Sequence, residues 1–156
     1  KKLKNSMLID NVDFTKYALI YIAGGWGAAY DLGYSEILGS KISDAYYANK
    51  IIGAVCHGPL GLIHAKDKNG NLLISGRKMT GVTDKQVKEL GIEMTPQHPE
   101  TELRKAGVIF ESKSKFNDLF ANHVAVDDER RFVTGQNQNA GHETAQMMMS
   151  ILVGEI

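Results

Sequence analysis

One cysteine stands where the sequence predicts a position suited to a nucleophile. Cys56 is the only cysteine among 156 residues, and His57 follows it directly. Residues 51–59 read IIGAVCHGP, which predicts a short buried strand, a tight turn at Cys56 and a helix opened by Pro59. A nucleophile on a strand–turn–helix junction is typical of many α/β enzymes. The helix dipole and a neighbouring imidazole would both favour the thiolate.

The residue types alone leave two interpretations of this turn open. Cys56 is either a reactive nucleophile or a structural cysteine, since free cysteines are often buried. His57 could act as its general base. Residues adjacent in sequence usually point apart, but the irregular backbone of such a turn can bring the two side chains together.

A glycine-rich segment follows the preceding apolar stretch, residues 17–23. Its sequence is GGWG, and the backbone N–H groups around Gly24, Gly25 and Trp26, with that of His57, could form an oxyanion hole that binds substrate. The alternative is a plain turn. The segment lacks the GxGxxG pattern of dinucleotide-binding proteins, so no nicotinamide cofactor is predicted.

Two acidic candidates could complete the site. Asp84 follows a predicted strand, where it could orient an imidazole as the third member of a triad or cap a helix. His98 and Glu100 lie downstream in QHPE, an order that resembles the Cys-His-Glu triad of class I glutamine amidotransferases. The alternative is a loop histidine followed by a glutamate in the first turn of a helix.

Composition excludes several other classes of function. The chain has 18 acidic and 18 basic residues and no basic tract, so neither nucleic acid nor an anionic membrane is a predicted partner. No apolar run approaches the ~20 residues of a spanning helix. A single cysteine excludes an internal disulfide and indicates the reducing cytoplasm. The remaining histidines show no ligand spacing, so no metal site is predicted; they are His64, His123 and His142.

The predicted elements form one domain over residues 1–156. Strands are predicted at 17–23, buried on both faces, at 51–55 and 108–111, within 72–80, and as a hairpin of 122–126 with 131–134. Helices are predicted at 34–49, 58–66, 84–90, 100–106 and 142–153. The last helix should point Ala145, Met148, Met149 and Leu152 inward. This alternation predicts an α/β fold with a mostly parallel sheet, whose carboxyl edge binds ligands.

Four segments resemble the ThiJ/PfpI superfamily, and within it the heat-shock chaperone and glyoxalase III branch. They are YIAGGWGAAYDL, GAVCHGPLGLI, GRKMTGVTDKQVKELG and FVTGQNQNAG, in the family's order. The resemblance covers nearly the whole chain. It implies a flavodoxin-like three-layer sandwich, usually homodimeric, with Cys56 as nucleophile, His57 as its partner and Asp84 completing the triad. The implied activity is cofactor-independent conversion of methylglyoxal or a similar 2-oxoaldehyde to a 2-hydroxy acid.

Two departures from the family pattern stand out. Trp26 occupies a position where the family often has histidine. Family members also carry a strand, a helix and a second strand before the region where this chain begins, including a glutamate that assists the cysteine. We therefore expect a missing N-terminal segment of the same protein as a partner of this chain. The same nucleophile would also suit a cysteine peptidase or amidase, or a redox-sensing holdase chaperone without enzymatic activity.

Overall fold

The computed structural model describes residues 5–156. Its strands are β1 (Leu19–Ile22), β2 (Ile51–Val55), β3 (Lys78–Met79), β4 (Ile109–Phe110), β5 (Val124–Val126) and β6 (Phe132–Gly135). Its α-helices are α1 (Ala28–Asp31), α2 (Glu36–Tyr47), α3 (Asp84–Glu89), α4 (Pro99–Lys105) and α5 (Gly141–Val153). Short 3₁₀ turns include Gly58–Leu62, Asp118–Phe120 and Gln138–Ala140. None of the helices in this part of the chain is long and apolar enough to cross a membrane.

Four strands form the central sheet, in the order β1-β2-β6-β5. β1, β2 and β6 run parallel, and β5 pairs antiparallel with β6 across the predicted hairpin. β3 and β4 form a separate parallel pair. The α/β fold with a mostly parallel sheet is thus confirmed.

β2 lies at the centre of three layers, and all five of its residues are buried. Ile52 and Ala54 face a large apolar cluster that includes Ile42 of α2. Ile51 faces a smaller cluster with Met148 of α5. Because successive strand residues point to opposite faces, helices on both sides make β2 continuously apolar.

β1 is less buried than its sequence predicts. Ile20 and Ile22 are buried, but Tyr21 on the other face is 40% exposed and donates its hydroxyl to the Gly141 carbonyl (3.1 Å). Within residues 5–156, no strand pairs with the outer edge of β1. The prediction of burial on both faces was wrong because α5 covers this edge only in part.

The inward face of α5 also differs from the prediction. Met148 is buried as expected, but Met149 is 49% exposed and Leu152 is 43% exposed, and Ala145 also faces outward. Thr144 is buried instead. Two glycines of the sheet determine which face of α5 packs inward. A Cβ at Gly53 would overlap the Met148 sulfur, and one at Gly135 would overlap the Thr144 hydroxyl. Met148 and Thr144 therefore occupy these gaps.

Candidate active site

The tight turn predicted after β2 is present and its backbone is strained. Cys56 adopts φ +63°, a left-handed conformation that is unusual for a residue with a side chain. Its N–H donates to the Gly135 carbonyl (3.0 Å), and its own carbonyl accepts the N–H of Val82 (3.1 Å). Bonds on both sides of the residue hold it in this conformation. The turn continues as the 3₁₀ helix Gly58–Leu62, where the sequence predicted an α-helix to residue 66.

Glycines let the end of β1 approach this turn closely. A Cβ at Gly24 would lie 2.6 Å from the Val55 carbonyl oxygen and 2.9 Å from the His57 nitrogen. A Cβ at Gly58 would overlap the Ile22 carbonyl. Both positions therefore require glycine for steric reasons, and together they place the GGWG segment beside Cys56.

His57 contacts Cys56 directly. Its Nδ1 lies 3.5 Å from the Cys56 sulfur, and its side chain is fully buried. Burial, and to a lesser extent the nearby charge of His98, lowers the pKa of His57 to about 4. The imidazole is therefore neutral at pH 7 and able to accept the thiol proton. Its Nε2 has no hydrogen-bond partner among the described residues.

The Cys56 sulfur is also held in its neutral form at rest. Burial raises the pKa of the thiol, and the backbone N–H groups of Gly25, His57 and Gln138 act in the opposite direction. A buried thiol beside a neutral imidazole differs from a preformed ion pair, because charge appears only when the thiol is deprotonated. The three N–H groups would then stabilise that charge.

The sulfur opens into a cleft of about 440 Å³. Its walls come from the GGWG segment, from the Cys56 turn and from the segment after β6. The lining residues are Gly24, Gly25, Trp26, Val55, Cys56 and Gln138. Gly25 takes φ +113°, a conformation that favours glycine. Trp26 is 55% exposed at the cleft, so its indole forms an outer wall. The three residues predicted to bind substrate thus line the same cleft as Cys56.

Asp84 forms no hydrogen bond with His57 among the described residues. It is the first residue of α3, and its carboxylate accepts the Thr101 hydroxyl (2.9 and 3.1 Å). Thr83 supplies the helix cap, since its hydroxyl accepts the N–H of Gln86 (3.0 Å). Asp84 is therefore not the cap residue of α3. Its part in catalysis stays a prediction.

His98, and not Asp84, acts electrostatically on His57. It precedes α4 at the cap position, its charge acts on His57, and its Nε2 has no partner among the described residues. Glu100 instead accepts the Asp84 N–H (2.9 Å) and the Arg104 guanidinium (2.8 Å). In residues 5–156 no hydrogen bond joins His98 or Glu100 to Cys56, so a Cys-His-Glu triad is not assembled.

Gln138 is the site residue that the sequence prediction missed. It follows β6 in the segment TGQNQN. The flanking Asn137 and Asn139 satisfy backbone groups of neighbouring loops. An amide-rich segment directly after a parallel strand was the available signal, because ligands gather at that edge.

No metal centre is formed by the described residues. Between residues 5 and 156 no group of three or more histidine, cysteine, aspartate or glutamate side chains is arranged to hold an ion. His64 binds the Gly33 carbonyl (2.8 Å), and His123 pairs with Glu111 (3.3 Å). The chemistry available at the cleft is therefore that of a thiol, an imidazole and backbone donors.

The fold and the cysteine turn together define a known class of protein. The profile of the DJ-1/PfpI family matches residues 1–150. The chain belongs to the DJ-1/PfpI family, and this confirms the resemblance seen in the sequence.

Individual relatives carry enzyme names. Glutathione-independent glyoxalase hsp3101 of Schizosaccharomyces pombe is 27% identical over 96% of this chain. The structure of Rapid Encystment Protein 24 kDa from Francisella tularensis superposes with a TM-score of 0.86, at 30% identity over 97% of this chain. That of glyoxalase III from Candida albicans gives a TM-score of 0.80 at 24% identity over 91% of this chain, which shows the fold. This chain spans 62%, 67% and 60% of these three proteins, respectively.

Proposed function

We propose that the chain carries the active site of a cofactor-independent glyoxalase that converts methylglyoxal or a similar small 2-oxoaldehyde to a 2-hydroxy acid. The observation that supports this most directly is the Cys56 sulfur, 3.5 Å from the His57 imidazole and open to a cleft lined by backbone donors. A thiol of this kind adds readily to an aldehyde. The enzyme names of the relatives support the same reaction.

In the first step the Cys56 sulfur attacks the aldehyde carbon. A carbon–sulfur bond forms, the thiol proton passes to His57 Nδ1, and the carbonyl electron pair moves to oxygen. The backbone N–H groups of Gly25 and His57 stabilise this alkoxide. Return of the proton from His57 gives a hemithioacetal, so the imidazole is neutral again.

In the second step the hydrogen on the former aldehyde carbon moves to the neighbouring ketone carbon through an enediol. The first carbon becomes the carbonyl of a thioester and the second becomes an alcohol, so oxidation of one balances reduction of the other. Water then hydrolyses the thioester, which releases the 2-hydroxy acid and restores the Cys56 thiol. The overall change adds one water and needs no external oxidant or reductant.

The geometry favours His57 over His98 as the base for this reaction. His57 lies within reach of the sulfur, whereas no hydrogen bond among the described residues joins His98 to Cys56. An amidase that used His98 would need a different arrangement of this loop. We also assign the protein to the cytoplasm in this proposal, because a single catalytic thiol is kept reduced there.

Methylglyoxal consumption by the purified protein tests the proposal. Cys56→Ala should abolish the formation of lactate, and His57→Ala should lower it by about 10²-fold or more, the usual effect of losing a general base. His98→Ala should retain most activity. Full activity in Cys56→Ala, or loss in His98→Ala with retention in His57→Ala, would reject the mechanism. Hydrolysis of glutamine or peptide amides by the same wild-type sample would favour the amidase instead.

A further inference from the structure

A buried asparagine clamps the turn that follows β6. Asn137 is fully buried, and its Nδ2 donates to the backbone carbonyls of Asp118 (3.1 Å) and Ala121 (2.9 Å). Its Oδ1 accepts the N–H of Asn139 (3.0 Å). A buried amide whose donors are all used fixes the backbone around it. Asn137 therefore anchors the 3₁₀ turn Gln138–Ala140 to the loop that carries its acceptors.

The loop that Asn137 binds is itself connected to the cysteine turn by hydrogen bonds. Asp118 is buried, and its carboxylate accepts the Thr83 hydroxyl (2.9 Å). Val82, the residue before Thr83, donates its N–H to the Cys56 carbonyl (3.1 Å). Burial opposes ionisation of Asp118, but further hydrogen bonds outweigh it and lower its pKa; their donors are Lys85, Ser114 and the Lys115 N–H. Hydrogen bonds through Asp118, Thr83 and Val82 thus link Asn137 to the Cys56 turn.

Gln138, in the turn that Asn137 anchors, contributes a backbone N–H donor to the cleft. It lines the cleft together with Cys56. As the first residue of a 3₁₀ turn, it has an N–H with no acceptor inside the turn. The Asn137 side chain caps the N–H of Asn139 and leaves that of Gln138 available. From this position the Gln138 N–H acts to lower the pKa of the Cys56 thiol.

We propose that the Gln138 backbone N–H is a third donor to the negative charge that forms at Cys56, and that Asn137 is the positioning residue that holds it there. A contribution of this donor to catalysis rests on the proposed function. Its effect on the thiolate does not, because the thiolate can react with any electrophile. The other two donors, Gly25 and His57, belong to the turns that follow β1 and β2. The third comes from the segment after β6. A part of the chain remote in sequence from Cys56 thus supplies one of the three donors to the charge.

The substitution Gln138→Pro removes this N–H with little disturbance of the backbone. Proline is well tolerated at the first position of a helical turn. It requires an extended residue before it, and Asn137 has φ −147° and ψ −179°. Gln138→Ala is the matched control, because it removes the side chain and keeps the N–H. The measurement is the rate of Cys56 alkylation by iodoacetamide as a function of pH.

The Pro variant should shift the midpoint of this profile to higher pH, and its alkylation rate at pH 7 should fall about tenfold, since a hydrogen bond to a charged group is lost. The Ala control should stay within about twofold of wild type. An unshifted midpoint in Gln138→Pro would overturn the proposal. So would a lower plateau at high pH without a shift, because it would mean only that the ring obstructs the reagent.

Asn137→Ala tests the positioning role separately. Its profile should shift in the same direction by a smaller amount, because the donor is retained but less firmly held. Asn71→Ala, which removes an amide bonded to Asp67 (3.1 Å) in a turn outside the cleft lining, should leave the profile unchanged. An unchanged midpoint in folded Asn137→Ala would overturn its role. A shifted profile in Gln138→Pro, with wild-type protein inactive on methylglyoxal, would support the donor and reject the glyoxalase.

Discussion

Cys56 and His57 form a pair that carries no charge at rest. Burial acts on both groups in the direction of neutrality: it raises the pKa of the thiol and lowers that of the imidazole. A preformed thiolate–imidazolium pair would need the opposite shifts. Under the proposed mechanism the proton would therefore move only when substrate is present, and the backbone donors would act on charge that develops during the reaction.

This arrangement predicts the acid limb of the pH profile. In the proposed mechanism the neutral form of His57 is the base, and its folded-state pKa is about 4, below the ordinary value of 6.5. Turnover of a 2-oxoaldehyde should thus persist as the pH falls through 6.5 and be lost only near pH 4, provided that the protein stays folded. Initial rates between pH 3.5 and 8 would measure this.

His98→Ala provides the control for that profile. Its charge is the lesser cause of the shift, after burial, so its removal should raise the acid midpoint slightly and leave the neutral-pH rate unchanged. A wild-type midpoint near 6.5 would contradict the assignment of buried His57 as the base.

At the scale of elements, the site depends on the close approach of β1 to the turn after β2. At Gly24 the two segments are so close that a Cβ would lie 2.6 Å from the Val55 carbonyl oxygen, which leaves no room for a side chain. Gly27, in the same GGWG segment, has no atom within 4 Å of its Cβ position and takes helical angles, φ −55° and ψ −33°. The two glycines therefore have different roles although they stand three residues apart.

Gly24→Ala and Gly27→Ala should separate these roles. Gly24→Ala should destabilise the protein by about 1–3 kcal/mol, because backbone atoms must move to admit the methyl group. It should also slow Cys56 alkylation, since the turn carries the donors. Gly27→Ala should be neutral or slightly stabilising. Urea unfolding and alkylation rates measure both effects, and equal stabilities for the two variants would contradict the steric explanation.

At the scale of the whole molecule, an ion pair joins the β3–β4 pair to the main sheet. Arg77, beside β3, binds Asp127 in the turn between β5 and β6, and the Asp127 side chain is 1% exposed. The guanidinium also lies over the rings of Tyr46 and Phe132, 5.1 Å from each centroid. These residues are outside the cleft lining, so they stabilise the fold without contacting the sulfur.

Arg77→Ala should lower the free energy of unfolding by about 3 kcal/mol, because it leaves the buried Asp127 carboxylate without its cation. Its alkylation profile should match that of wild type while the protein is folded. Lys78→Ala, which breaks the exposed pair with Asp128 (2.7 Å), should show no measurable loss of stability. Similar losses in the two variants would mean that burial of Asp127 is not what decides the cost.

The assembly predicted by the family resemblance stays a prediction. Light scattering of the protein would test homodimerisation, with about twice the monomer mass expected. The N-terminal segment expected to accompany this chain, and the assisting glutamate within it, likewise remain expectations.

Local patterns in the sequence determined much of this protein. The apolar run at β2, the cysteine at its end and Pro59 after it predict a strand, a tight turn and a candidate nucleophile. The GGWG segment is predicted for the same edge because parallel strands end together. These features follow from short-range sterics and from alternation along the strand.

Tertiary structure alone decided which groups meet at the sulfur. Asp84 bonds to Thr101 instead of His57 because two helices, α3 and α4, pack against each other there. Gln138 lines the same cleft as Cys56, the buried Asn137 amide fixes the turn after β6 that carries it, and no local pattern encodes that placement. At the cysteine turn, the sequence thus indicated a candidate nucleophile, whereas long-range packing determined which backbone N–H groups lie around it and left both Cys56 and His57 uncharged.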